Sequence, residues 1–193
     1  SFKADWDGNL IWLEPCHGDT YGIAPTKEMV YTVGHAHSCE TIYGFPNMTE
    51  VRKDGTHPLY ARAMAFTNSA DITIRHQGVV DGYQDWSTSG LKSPTIVGWY
   101  PDLEAGKVTG ASQAAYKVDV TDQYIVMVGE FIEANGKTQQ GIVRYPRRAG
   151  QRTLPPEGKA ETLAAKAEVT TSGTVKVSFT ATWDRDDPTL TYS

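Results

Sequence analysis

One stretch of this chain, Tyr116 to Tyr145, is written twice, and the repetition constrains the fold more than any other feature. It reads Tyr-Lys-Val-Asp-Val-Thr-Asp-Gln-Tyr-Ile-Val-Met-Val-Gly-Glu-Phe, then Asn135-Gly136, then Gly141-Ile142-Val143-Arg144-Tyr145. Val118 and Val120 end one predicted strand, Thr121-Asp122-Gln123 turns, and Tyr124 to Val128 is a second strand of β-branched and aromatic residues. Asn135-Gly136 is a hairpin signal, and Ile142 to Tyr145 returns. Tyr21 to His35 aligns on Tyr116 to Glu130 without a gap, placing Tyr21 on Tyr116, Ile23 on Val118, Thr26 on Thr121, Val33 on Val128 and Gly34 on Gly129. After an insertion, Arg62 to Phe66 occupies the place of Gly141 to Tyr145. A meandering sheet cannot bury its own faces, so the two copies are expected to stack as solenoid or propeller units do.

The pattern of strand, turn, strand ending in Gly-x-Phe, Asn-Gly hairpin and closing strand ending in Arg plus an aromatic resembles the propeller-type repeats of large secreted actinobacterial proteins. In that family several blades are followed by fibronectin-type or similar β-sandwich modules. The second copy carries the pattern well. The first departs from it, with Ala36 where Phe131 stands and a long insert from Cys39 to Pro58. The resemblance implies an all-β fold with two propeller-like antiparallel blades, about 5–70 and 95–146, inside a repeat region spanning 1–148. Trp6 to Leu13 reads as a turn, punctuated by Asp7-Gly8-Asn9, leading into a strand. Trp12 to Pro15 and Thr95 to Pro101 read as the beginnings of the two blades.

From Arg147 to Glu161 the composition shifts to Arg, Gly, Pro, Glu and Lys, which places an extended linker at 149–163. Beyond it Val175, Val177, Phe179, Ala181 and Trp183 alternate with Lys176, Ser178, Thr180 and Thr182, the pattern of a half-buried strand. Asp184 to Pro188 turns the chain and Thr189 to Tyr192 begins another strand. Residues 164–193 thus resemble the opening strands of a fibronectin type III-like sandwich, with Trp183 in the inner core. Such a sandwich takes about seven strands, and a propeller roughly four blades or more. The expectation is an incomplete sandwich after an incomplete set of blades: a fragment of a longer polypeptide, or a chain completed by partner copies.

A net charge of −5, with eighteen Lys and Arg scattered along the chain, argues against a nucleic-acid partner. No apolar run reaches membrane-spanning length, so no insertion is expected, and no signal-peptide pattern follows Ser1. Cys16 and Cys39 are the only cysteines. In antiparallel register outward from a turn at Thr26 to Met29, Cys16 falls opposite Cys39, which predicts a cross-strand disulfide and an oxidising compartment.

Two groups suggest metal. Cys16-His17-Gly18-Asp19 and Gly34-His35-Ala36-His37 offer His17, Asp19, His35 and His37 as candidate transition-metal ligands. A strand ending in Gly-His-x-His resembles the last ligands of calcineurin-like metallophosphoesterases, but Asp-x-His, Gly-Asn-His and an alternating β/α pattern are all missing. Strand parity also points His17 and Asp19 away from His35 and His37 unless a bulge intervenes. Asp184, Asp186 and Asp187 form an acidic turn offering oxygen ligands to calcium, without an EF-hand pattern. Residues 40–60 and 67–94 read as long irregular segments, and Tyr83 and Trp86 in the second are candidate stacking residues for a sugar.

The sequence carries no nucleophile elbow, phosphate-cradling loop or Rossmann fingerprint. The expected role is therefore a non-catalytic extracellular scaffold or adhesion unit without an obligatory cofactor. It would bind glycan or protein on a surface through loops 40–60 and 76–93, alongside other copies or other parts of the same larger polypeptide. The rivals are a structural protein of a phage tail or virion, and a metal-dependent hydrolase centred on the four-residue histidine group.

Overall fold

Two antiparallel meanders carry the repeat, in a computed structural model that describes residues 1–47, 60–75, 88–147, 164–170 and 173–179. A hairpin of β1 (Phe2–Ala4) and β2 (Leu10–Leu13) comes first. The first copy comprises β3 (Thr20–Pro25), β4 (Met29–Ala36), a 3-10 turn at Glu40–Ile42 and β5 (Ala61–Thr67). Short strands follow: β6 (Ile72–Thr73), β7 (Lys92–Ser93), β8 (Ile96–Val97) and β9 (Leu103–Ala105). The second copy comprises β10 (Ala115–Val120), β11 (Tyr124–Gly129), β12 (Phe131–Ala134), β13 (Lys137–Thr138) and β14 (Ile142–Pro146). A last hairpin joins β15 (Lys166–Val169) to β16 (Val175–Ser178). The described fold is all-β, and its sheets are antiparallel.

The copies match in register as well as in order. Val30 pairs Phe66 and Val33 pairs Ala63, as Ile125 pairs Tyr145 and Val128 pairs Ile142. Each hairpin turns on the same threonine chemistry: Thr26 N–H donates to Met29 O at 2.7 Å and Thr121 N–H to Tyr124 O at 2.8 Å. The Thr Oγ1 accepts the returning N–H in both turns, at 2.9 and 3.0 Å. Each first strand then breaks register at the aligned tyrosine, so that Thr20 faces Gly34 and Ala115 faces Gly129. The bulge presses the backbone before the tyrosine onto that glycine. A Cβ on Gly34 would lie 3.0 Å from the Asp19 carbonyl carbon, and one on Gly129 would lie 2.6 Å from Ala115 Cα. Asn135 and Gly136 both take positive φ, 50° and 72°, and turn β12 into β13 as the dipeptide predicts.

Cross-strand pairing shows how the sheets stack, because paired residues share a face. In the first copy Tyr31, Val33, Ala63 and Ala65 share one face. In the second, Ile125 and Met127 lie on the face that corresponds to the opposite side, with Val143 and Tyr145. These two unlike faces form a single core, with Leu103 and Phe131. Trp99 spans the junction, its ring 5.3 Å from Tyr31 and 6.0 Å from Tyr145. Burial, with the charge of Asp102 adding to it, pushes the Tyr145 phenol up to about 12. The sheets therefore stack in the same sense, front against back, the arrangement that generates rings or open arrays rather than closed pairs.

The other face of the first sheet is also covered. Met64, Phe66 and Ile96 pack there with Ile42, Phe45 and Ile74 in a second cluster. Residues 40–47, expected to open a long irregular loop, thus put Ile42 and Phe45 into the core. Thr95 to Pro101 also differs from expectation: Ile96 pairs Phe66, so β8 is the fourth strand of the first sheet rather than the opening of the second.

The outer face of the second sheet is hydrated, and its composition says why. Lys117, Asp119 and Arg144 stand where the first copy has Gly22, Ala24 and Ala65, and charged side chains are costly to bury in a core. Its outer strand ends in Pro146, which lacks the N–H that Thr67 donates to Thr95 at 2.9 Å in the first copy.

The terminal hairpin puts Ala167, Val169, Val175 and Val177 on one face. The half-burial expected of the second strand is not found, since Val175 and Val177 are 62% and 57% exposed. Among the described residues no opposing layer covers these two strands. Trp183 and the strand expected at Thr189 to Tyr192 lie outside the described residues.

Candidate functional site

The histidine group sits where the first copy's strands run past the bulge. Past Gly34, β4 continues through His35 and Ala36, and the chain before β3 returns beside it, with His17 bridged to Ser38. His17 N–H donates to Ser38 O at 2.8 Å, and His37 N–H to His17 O at 2.9 Å. Just beyond, Cys16 and Cys39 are at disulfide distance, Cα to Cα 4.4 Å, and staple the two segments together.

The Tyr21 bulge changes the parity read from the sequence. It shifts the partner strand by one residue, so Asp19 reaches the side of His35, while the His17 and His37 rings meet where the original register has been restored. The four side chains then separate into two pairs. Tyr21 Oη donates to Asp19 Oδ2 at 3.2 Å and lies 3.2 Å from His35 Nδ1, while His35 Nε2 is 4.0 Å from Asp19 Oδ2. The His35 ring meets Tyr60 edge-on at 5.5 Å. In the second pair the His17 and His37 rings stand 6.0 Å apart, and His37 Nδ1 lies 3.3 Å from Asn47 Oδ1. Among the described residues, no three His, Cys, Asp or Glu side chains converge as metal ligands would.

The second copy shows what this corner does without histidine. His35 aligns with Glu130, whose carboxylate accepts N–H groups of Val108 and Thr109 and so fastens the segment preceding β10. Ser38 pairs His17 as Glu133 pairs Glu104, and Cys39 meets Cys16 where Ala134 pairs Leu103. Each copy thus ties its incoming segment to the end of its second strand, one by histidine contacts and a disulfide, the other by a carboxylate and an apolar pair.

Electrostatics agree with a structural corner. Asp19 is 71% exposed and His35 21%, so their contact is a partly hydrated one. Burial, then the charge of Asp19, raises the Tyr21 phenol above its ordinary value, keeping the hydroxyl protonated as the donor between them. A small recess, with room for about one water, adjoins the corner and is lined by Glu14, Cys16, Asp19, Thr32 and Met64 among others. Its buried carboxylate is already engaged: Glu14 accepts the Cys16 N–H at 2.6 Å and the Ser1 ammonium at 3.1 Å.

The other sequence candidates fall elsewhere. Tyr83 and Trp86 of the sugar-stacking reading, and Asp184, Asp186 and Asp187 of the calcium reading, lie outside the described residues, as do 48–59 of the first loop. Sequence reasoning missed Tyr21 and Tyr60 as partners of His35. The signal available was Gly34, the glycine on the partner strand against which the bulge at Tyr21 presses the backbone. No protein-family model matches the chain, and neither a curated protein nor a solved structure matches it.

Proposed function

We propose that this chain is a non-catalytic extracellular scaffold or adhesion unit of a larger β-propeller surface protein, presenting loops that bind glycan or protein on a surface. The observation that carries the reading is the same-sense stacking of two homologous sheets. A front-against-back stack makes an extended rigid body whose loops project from one unit after another, the usual architecture of repeat proteins that display binding surfaces. The Cys16–Cys39 pair, stapling the first copy, supports an oxidising, extracellular setting. The division of His17, Asp19, His35 and His37 into two pairs, with Glu130 serving the same corner in the second copy, favours a fastening role for them over a hydrolytic centre.

Immobilised glycans and intact bacterial cells test the proposal. The chain is expected to be retained by one or more of them without turnover of the ligand. Tyr83→Ala and Trp86→Ala are expected to weaken retention while leaving the melting temperature within about 2 °C of the parent. Retention on none of these surfaces, or hydrolysis of a phosphoester substrate lost with His35→Ala, would count against it.

A further inference from the structure

The β1–β2 hairpin ends in the most exposed large hydrophobic side chain among those described. Trp6 is fully exposed, at 105% of its reference area, although a solvated indole is costly and is buried in most folds. The turn that carries it is not loose. Asp5 Oδ1 accepts the N–H groups of Asp7 and Asn9 at 3.0 and 2.8 Å, and its Oδ2 accepts Asn9 Nδ2 at 2.9 Å. Asp5 N–H donates to Asn9 O at 3.0 Å, and Gly8, at φ 87°, donates to Asp5 O at 3.2 Å. The Asn9 side chain, with the Asn9 and Asp7 amides, holds the Asp5 carboxyl below its usual range, so the tip stays anionic. The base of the hairpin is fixed by buried Trp12 and by Lys3 Nζ, which bonds Asn68 Oδ1 at 2.9 Å.

An indole held at full exposure on a braced turn is an arrangement for contact with something outside the chain. Pre-ordering of the turn lowers the backbone entropy cost of fixing it on binding, leaving only the indole rotamer to be ordered. What surrounds it limits the ligand. A protein hot spot wants an apolar ring around its anchor to exclude water, whereas the turn residues flanking Trp6 are Asp5, Asp7, Gly8 and Asn9, all exposed. The exposed apolar Phe2 and Leu10 lie on the strands rather than in the turn. The two carboxylates repel phosphate, nucleic acid and anionic lipid surfaces. The ligand class left is one with an apolar C–H face to lie on the indole and hydroxyls to meet Asp7 and Asn9 beside it.

We infer that the Trp6 tip is a stacking site for a neutral saccharide, separate from loops 40–60 and 76–93. It rests on the glycan-binding part of the proposed function but not on those loops. The test is retention of the full chain on cellulose, chitin and β-1,3-glucan, with Trp6→Ala, Trp6→Tyr and Trp86→Ala as variants. The site predicts binding to at least one of these polymers, weakened about tenfold or more by Trp6→Ala and largely restored by Trp6→Tyr, with the melting curve unchanged in both. Equal retention of parent and Trp6→Ala overturns the inference, as does retention on none of the three. Loss of binding in Trp86→Ala alone also overturns it, while leaving the loop reading standing.

Discussion

Gly34→Ala and Gly129→Ala are each expected to lower stability by about 3 kcal/mol or more, the range of changes that force backbone apart in a packed sheet. For a chain of this size that is a fall of roughly 6–12 °C in melting temperature. Neither glycine is there for an unusual dihedral. Each sits opposite a bulge, and the added methyl would run into the carbonyl of Asp19 in one copy and of Ala114 in the other. Backbone cannot step aside as a flexible side chain does, so the bulge must open or the strand must move. Opening it at Gly129 also pulls Ala115, fully buried, out of the core between the sheets. Opening it at Gly34 separates Asp19 from His35 and loosens the segment that the disulfide pins. Chemical denaturation of the two variants, with the parent alongside, measures both effects. Comparable losses in the two copies would confirm that the bulges are equivalent, and a loss under 1 kcal/mol in either would show that the chain yields there.

Reduction of the protein is expected to cost roughly 3 kcal/mol, from the loop-closure entropy of a link between residues separated by 23 positions. The second copy suggests a way to separate the link from the space it fills, because Leu103 and Ala134 occupy the corresponding pair. Cys16→Leu/Cys39→Ala is expected to be more stable than Cys16→Ser/Cys39→Ser, since it restores apolar contact near Ile42 and Phe45 where a buried hydroxyl would lack a partner. Both remain less stable than the oxidised parent. Thermal melts with and without reductant, and a thiol titration before reduction, check this. Two thiols titrating at once and an unchanged melt would remove the bridge and the compartment inferred from it.

Much of this architecture was legible because the informative residues act locally. Thr26 and Thr121 close identical turns with their own side chains, and Asn135-Gly136 is a turn whose backbone few other dipeptides adopt. Counting outward from the first turn brought Cys16 to Cys39, since the one-residue shift at Tyr21 is compensated before the His17–Ser38 bridge. The same shift lies between those points, and that is why parity misjudged the histidine group: the slip acts on Asp19 and His35 but has been undone at the cysteines. A bulge has no composition of its own, and its only trace was a glycine on the partner strand.

Other features depend on contacts far apart in the chain. Nothing near Ile96 says that it pairs Phe66 across a long connection, and the alternation from Val175 onward reports a face without reporting whether anything covers it. Glu130 became informative about His35 only once both were seen to fasten the same corner. The hydrated outer face of the second sheet, by contrast, was readable from aligned positions alone: Lys117, Asp119 and Arg144 replace three small residues of the first copy.

The stacking sense of the two sheets underlies the functional reading, and nuclear Overhauser contacts between methyl groups test it most directly. Front-against-back stacking predicts cross-peaks from Val33, Ala63 and Ala65 to Ile125 and Met127. Cross-peaks from the same three residues to Val126, Val128 and Ile142 would mean that like faces meet, and would contradict a stack that extends as a repeat array.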